Sequence, residues 1–142
     1  METPIKPPIG MELHRTARAV AQAFDAALVA AGGTLPVWLT LLSVKSRSNA
    51  NQRELATMIG IQGATLTHHL NAMEADGLIT RRRDPENRRV HQVRLTEAGE
   101  ALFERLKTAA IAFDGRLRGG LPDSSIAELS RLLGALRANV GV

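Results

Sequence analysis

The spacing of hydrophobic residues along the chain predicts six helices and one β-hairpin. Over residues 11–31 apolar side chains recur every three or four positions, which is the period of an amphipathic helix. Gly32 and Gly33 follow this segment and are expected to end the helix. A second helix should begin at Thr34, a good N-cap residue. The apolar positions expected on its buried face are Val37, Trp38, Leu41 and Leu42.

The next two helices are short and joined by a tight turn. Asn51, followed by Glu54 three residues later, is a variant of the capping box and predicts the start of the third helix, which Gly60 should end. A fourth helix begins after three more residues and is closed by Gly77. So short a connection favours the steep crossing of a helix-turn-helix. The residues expected inside are Leu55, Met58, Ile59, Leu66, Leu70 and Met73.

An alternating pattern follows the fourth helix. Residues 78–83 and 88–95 flank the turn sequence Asp-Pro-Glu-Asn, and a period of two around such a turn predicts a β-hairpin. Thr96 can cap a long fifth helix, and a sixth begins at Asp123 or Ser124. The apolar stripes of these last two helices are Leu102, Leu106, Ala109, Phe113 and Leu117, and then Ile126, Leu129, Leu132, Leu133 and Leu136.

Length and composition predict a single globular domain over residues 1–142. The hydrophobic fraction of 44% and the charged fraction of 23% are ordinary for a folded domain. The chain has no cysteine, which excludes disulfides, thiolate nucleophiles and cysteine-ligated zinc. We see no apolar segment of about 18 residues and no signal-peptide pattern, so we expect a cytoplasmic protein.

The net charge of +4 is concentrated in the hairpin. Residues 81–94 contain six arginines and two acidic residues, so the other residues sum to zero. A neutral body with one cationic segment is typical of a protein that binds a polyanion, and the arginine fork suits phosphate oxygens. A solvated charged hairpin is an equally good interpretation of the charge alone.

The sequence offers no constellation of residues for catalysis. The four histidines lack metal-ligand spacing, and adjacent His68 and His69 project about 100° apart on a helix. The glycines near the turn lack the lysine that a phosphate-binding loop requires. We therefore expect neither an enzyme nor a bound cofactor.

DNA binding has the parts that catalysis lacks. The fourth helix could enter the major groove with short hydrogen-bonding side chains on its outward side, and the cationic hairpin could grip the flanking backbone or minor groove. The alternative is that these polar residues simply face water. The residues predicted to contact DNA are Gln62, Thr65, Thr67, His68 and Asn71 on the helix, and Arg83, Arg88 and Arg89 on the hairpin.

Five segments in a fixed order carry a resemblance to a known family. They are LPVW at 35–38, GATLTHHL at 63–70, MEADGLI at 73–79, RDPENRR at 83–89 and LTEAG at 95–99. Together they resemble the multiple-antibiotic-resistance regulator (MarR) family of bacterial transcription factors. Two positions depart from the family pattern: Asn87 stands where an aspartate is usual, and His68 stands where an arginine is frequent.

The resemblance implies a mainly α, winged helix-turn-helix protein with a small β-hairpin wing and with dimerisation helices at both ends. Residues 34–96 would form the DNA-binding lobe, while residues 11–33 and 97–142 would interlock with a second subunit. The apolar stripes agree, since they exceed what one small core could cover, although packing within a monomer is the alternative. Such a homodimer would bind a pseudopalindromic operator, most simply as a ligand-responsive repressor.

Relatives in this family commonly bind small aromatic acids or hydrophobic drugs. A cation, a ring and an apolar wall suit an aromatic carboxylate, so the candidate effector residues are His14, Arg18, Trp38 and Phe113. For Trp38 and Phe113, a place in the core is the alternative.

The alternative to a regulator is a winged-helix protein-interaction module without specific DNA binding.

Overall fold

A computed structural model of the chain describes residues 5–46, 51–87 and 91–142. In these ranges the predicted order of elements is confirmed. The elements are α1 (Ile9–Ala30), α2 (Leu35–Ser46), α3 (Gln52–Ile59), α4 (Gly63–Ala75), β1 (Ile79–Arg83), β2 (His91–Leu95), α5 (Glu97–Arg118) and α6 (Asp123–Asn139). The chain divides into two compact units, residues 1–110 and residues 111–142.

The helix-turn-helix forms as the sequence predicts, because its caps are in place. The Asn51 side chain accepts a hydrogen bond from the Glu54 backbone N–H at 2.9 Å and donates to the Glu54 carboxylate at 3.1 Å. Gly60 ends α3 with a φ of 81°, a left-handed conformation that costs glycine little. Only Ile61 and Gln62 separate Gly60 from Gly63, where α4 begins.

One hydrophobic core lies within residues 1–110. Helix α2 contacts α1, α3, α4 and β2, and β1 pairs antiparallel with β2 against α4. The buried apolar residues are Leu28, Trp38, Leu41, Val44, Leu55, Ala56, Leu66, Leu70, Met73, Ile79, Val93, Leu102, Phe103 and Leu106. All three apolar residues predicted inside α4 belong to this core.

Two of the predicted core residues are wrong. Leu42 is 38% exposed and Met58 is 42% exposed. Several elements surround α2, so its buried face includes Thr40 and Ser43 and leaves Leu42 on the exposed side. Helix α3 buries Leu55 and Ala56, which leaves Met58 beside the contact face. In both helices, periodicity found the helix but the neighbouring elements decided which side is covered.

The hairpin is held to the start of α5 by Thr96 and Gly99. The Thr96 hydroxyl accepts a hydrogen bond from the Gly99 backbone N–H at 3.1 Å and donates to the Gly77 carbonyl. Gly99 lies so close to β1 that an added Cβ would be 2.0 Å from the Leu78 carbonyl oxygen. In the Leu-Thr-x-x-Gly segment, the threonine therefore caps α5 and the glycine allows the backbone of α5 to lie close to that of Leu78.

The terminal helices leave many apolar residues exposed. Leu28 is the buried residue of α1, and α6 contains none. On α6, Arg131 donates hydrogen bonds to Glu128, which lowers the pKa of the Glu128 carboxyl. Large apolar side chains with substantial exposure include Met11, Leu13, Ile111, Leu117, Leu129 and Leu132.

In the described residues, no single helix has both the length and the hydropathy to cross a membrane. Helices α1 and α2 meet that test only when taken together, across a bend of 78°.

Candidate nucleic-acid interface

Helix α4 presents a polar row on the side opposite its buried residues. Gln62, Thr65, His68 and Asn71 follow one another at intervals of three, and all four are exposed. Gln62 is the N-cap residue of α4, but its side chain does not cap the helix. Because Leu66, Leu70 and Met73 anchor the other side in the core, the polar row is held outward on a rigid element.

Thr67 is placed differently from the other residues predicted on α4. It is half-buried, and its hydroxyl donates to the Gly63 carbonyl at 2.9 Å and accepts from the Gln52 side-chain amide at 3.4 Å. It thereby links α4 to α3 beside an open groove of about 470 Å³. The groove is lined by Gln52, Arg53, Ala56, Thr57, Ile61, Gly63 and Thr67. A DNA contact by Thr67 stays a prediction.

The wing has two different faces. Arg81 pairs with buried Val93 in the register of the hairpin, on the face turned toward α4 and the core. Arg83 lies two residues further along β1, so its side chain leaves from the same face, where it is exposed. Arg82 and Arg94 leave from the opposite face and are also exposed. Among the described wing arginines, Arg83 is the exposed one on the face that Arg81 turns toward α4.

The other two predicted wing arginines, Arg88 and Arg89, lie outside the described residues. The turn before them forms as expected, since the Asp84 carboxylate accepts a hydrogen bond from the Glu86 backbone N–H at 2.8 Å. This contact is a local side-chain turn of the kind that aspartate favours.

Arg81 has a role that sequence reasoning missed. Its backbone N–H donates to the Glu74 carboxylate at 3.1 Å, and its Nη2 donates to the same carboxylate at 3.0 Å and to the Asn71 Oδ1 at 2.6 Å. Only 16% of its side chain is exposed. In sequence, Arg81 is one of the six arginines that make up the wing charge. The signal for its pairing was the placement of Asn71 and Glu74 on one face of α4, three residues apart.

The predicted effector residues fall in different surroundings. His14 and Arg18 are exposed and lie one turn apart on α1. Trp38 is 8% exposed, and its ring stacks on the Phe103 ring with the centroids 5.7 Å apart. Trp38 therefore lies in the core, as the alternative interpretation of this residue proposed. Phe113 belongs to the unit of residues 111–142, where the Arg116 guanidinium lies 5.5 Å from its ring centroid.

A pocket of about 360 Å³ lies where the end of α1 meets the start of α2. It is lined by Asp25, Val29, Thr34, Leu35 and Pro36. None of the four predicted effector residues belongs to this lining. An effector role for those four residues stays a prediction.

The described residues contain no group of three or more histidine, aspartate or glutamate side chains that could hold a metal ion. Among the described titratable residues of α4 and the wing, Glu74 and Arg81 form an ion pair, and His68, Asp76, Arg82, Arg83 and Arg94 are exposed. The arrangement suits recognition of a surface by a helix and a hairpin.

Comparison with known proteins gives the same picture. The MarR family model matches residues 34–91 of this chain. A MarR-family transcriptional regulator from Rhodococcus sp. RHA1 is 28% identical, with 90% of this chain and 91% of that chain covered and a TM-score of 0.76. The transcriptional repressor CouR, in a structure bound to a 23-mer DNA duplex, is 29% identical, with coverage of 91% and 92% and a TM-score of 0.81.

A second structure of CouR, from Rhodococcus jostii RHA1 and bound to p-coumaroyl-CoA, is 26% identical to this chain. It covers 95% of each chain with a TM-score of 0.77. The family match runs from α2 through the helix-turn-helix and the hairpin to the first residue of β2, and the structural matches extend over nearly all of the chain. Residues 34–91 of this chain therefore match the MarR family, and nearly the whole chain is similar in structure to a MarR-family transcriptional regulator and to the DNA-bound repressor CouR.

Proposed function

We propose that this protein is a ligand-responsive repressor that acts in the cytoplasm and binds a pseudopalindromic operator as a homodimer. The observation that carries the proposal is the exposed polar row of α4 together with Arg83, an exposed arginine on the same wing face as Arg81, which contacts α4. A helix with this row fits the major groove, and arginines beside it can hold the flanking phosphates. We assign DNA contacts to Gln62, Thr65, Thr67, His68, Asn71 and Arg83, and, from sequence, to Arg88 and Arg89.

The dimer is supported by the apolar residues that the terminal helices leave exposed. Ile111 is 64% exposed, Leu129 is 49% exposed and Leu132 is 45% exposed. Residues 34–96 then form the DNA-binding lobe, while residues 11–33 and 97–142 pair with a second copy. A two-fold axis would present two α4 helices to half-sites about 10 base pairs apart.

The effector we propose is a small aromatic acid or a hydrophobic compound containing an aromatic acyl group. Support comes from the family relative CouR, whose structure holds p-coumaroyl-CoA. From sequence, we propose His14, Arg18, Trp38 and Phe113 as the effector residues, with Arg18 as the cation for a carboxylate. The effector releases DNA by binding more tightly to a dimer whose lobes are spaced differently from the operator-bound state.

Selection of bound duplexes from a random pool tests the DNA-binding proposal. We expect a two-fold symmetric motif, and we expect Arg83→Ala to lower the slope of log affinity against log salt by about one unit. Arg94→Ala removes the same charge from the opposite face of the wing and serves as the control, with a smaller change. Enrichment of no motif would contradict specific operator binding.

The effector is tested on the complex with the selected duplex. Fluorescence anisotropy should report release of DNA when p-coumarate, p-coumaroyl-CoA or a related aromatic acid is added. His14→Ala combined with Arg18→Ala should weaken that response while leaving operator affinity without effector unchanged. If no compound of this class releases the duplex, the effector proposal fails and the DNA-binding proposal stands.

A further inference from the structure

Arg81 joins the wing to the polar row of α4 through one residue, Asn71. The Nη2 atom of Arg81 carries two hydrogens and donates to both the Glu74 carboxylate, at 3.0 Å, and the Asn71 Oδ1, at 2.6 Å. A third contact, from the Arg81 backbone N–H to Glu74 at 3.1 Å, fixes β1 against α4. The guanidinium is therefore tied to α4 at two side chains.

This contact determines which way the Asn71 amide faces. A guanidinium group has donors and no acceptor, so the amide must turn its carbonyl oxygen toward Arg81. The amide NH₂ then faces away from Arg81, while the oxygen keeps the one lone pair that Arg81 does not use. Asn71 is exposed on α4, and within residues 5–46, 51–87 and 91–142 no side chain or carbonyl accepts a hydrogen bond from its NH₂.

We propose that Arg81 is a positioning residue that holds the Asn71 oxygen toward the wing and turns the amide NH₂ toward the DNA surface. An asparagine that selects adenine must accept from the adenine N6 amino group and donate to N7 at the same time. With its oxygen turned toward Arg81, Asn71 leads with its NH₂, which can donate to a purine N7, a guanine O6, a thymine O4 or a phosphate oxygen. The amide is not turned to accept from adenine N6 and donate to N7 together, so it selects adenine over guanine poorly. The inference rests on the proposed DNA-binding function.

The paired Glu74 carboxylate gives a second consequence. It neutralises Arg81 in place, so Arg81 does not act as one of the phosphate-neutralising cations of the wing. Removing Arg81 should therefore change base preference more than it changes the salt dependence of binding, because the number of phosphate contacts stays the same.

The test compares base preferences of the full-length protein and its variants on the selected operator. Every position is changed singly to each other base, and affinities are measured by fluorescence anisotropy. For Asn71→Ala we expect an affinity loss of about fivefold, the size of one hydrogen bond, with no loss of an adenine-over-guanine preference at any position. For Arg81→Met, which frees the amide, we expect a new preference for adenine over guanine at one position of each half-site.

Arg82→Met is the matched control, since it changes the adjacent strand position on the opposite wing face. It should leave the preferred bases unchanged and, like Arg94→Ala on the same face, change the salt slope little. A uniform affinity loss for Arg81→Met, with no change in preference, would mean that Arg81 only holds the fold, and the proposal would be overturned. Loss of an adenine preference in Asn71→Ala, or an unchanged affinity, would also overturn it.

Asn71→Ala keeps the test decisive if Arg81→Met fails to fold, because Asn71 is exposed and Arg81 keeps its contact with Glu74. A further measurement needs no DNA. In the free protein, Arg81→Lys removes the guanidinium group and should shift the side-chain amide resonances of Asn71. Arg82→Met should shift the same resonances much less. Unchanged resonances in Arg81→Lys overturn the inference alone, whereas absence of any DNA binding by the wild-type protein overturns the proposed function and the inference with it.

Discussion

Of the glycines in the chain, Gly99 has the least room for a side chain. Its Cα approaches the Leu78 carbonyl so closely that a methyl group would overlap the oxygen, and the contact is with backbone rather than a flexible side chain. A backbone oxygen can yield only if β1 or α5 moves. Sequence reasoning recognised this glycine as part of a family segment, but only the structure gives the reason for it.

We therefore expect Gly99→Ala to lower the free energy of unfolding by about 3 kcal/mol, the cost of overpacking a well-packed site. Urea denaturation at a fixed protein concentration measures the change. Gly115→Ala is the control in the same helix, because an added Cβ there meets nothing within 4 Å. It should be neutral or stabilising by up to about 1 kcal/mol, since alanine is the better helix former. Equal effects of the two changes would refute the close contact.

At the scale of elements, local capping determines where a helix begins, and nonlocal packing determines which side of it is buried. The start of α3 is determined locally by the reciprocal contacts of Asn51 and Glu54, and for that reason it was predictable. The buried sides of α2 and α3 depend on neighbouring elements, and there the predictions for Leu42 and Met58 are wrong. The α4–β1 connection through Arg81 is likewise nonlocal.

The cap of α3 gives an element-scale prediction. Asn51→Ala removes the acceptor for the Glu54 N–H and should lower the free energy of unfolding by about 1 kcal/mol. Asn51→Asp keeps the accepting oxygen and should retain most of the stability. Thermal unfolding followed by circular dichroism measures both, and a loss in Asn51→Asp as large as that in Asn51→Ala would argue that the cap is not what stabilises α3.

At the scale of the whole molecule, the terminal helices carry apolar side chains that the chain itself leaves exposed. Helix α6 has no buried residue, while Glu128 and Arg131 pair with each other on its surface. An exposed ion pair contributes little stability, so burial of the apolar residues must supply most of what holds such a helix in a stable assembly. The second subunit that we propose would provide that burial.

The double change Leu129→Glu and Leu132→Glu should convert the proposed dimer to a monomer and lower operator affinity more than tenfold, because paired half-sites could no longer be held together. Sedimentation velocity measures the first effect and anisotropy the second. Ser130→Glu introduces a carboxylate at a polar position of the same helix and should leave the association state unchanged. A wild-type monomer at micromolar concentration would contradict the dimer outright.

The sequence by itself determined the features that depend on near neighbours in the chain. These are the six helices, the hairpin, the caps at Asn51 and Thr96, the glycine stop at Gly60 and the concentration of charge in the wing, because periodicity, capping and turn chemistry act over a few residues. The tertiary structure alone decided which of those charges are exposed. It pairs Arg81 with Asn71 and Glu74 and leaves Arg83 outward, since such contacts depend on how a strand and a helix distant in the chain meet.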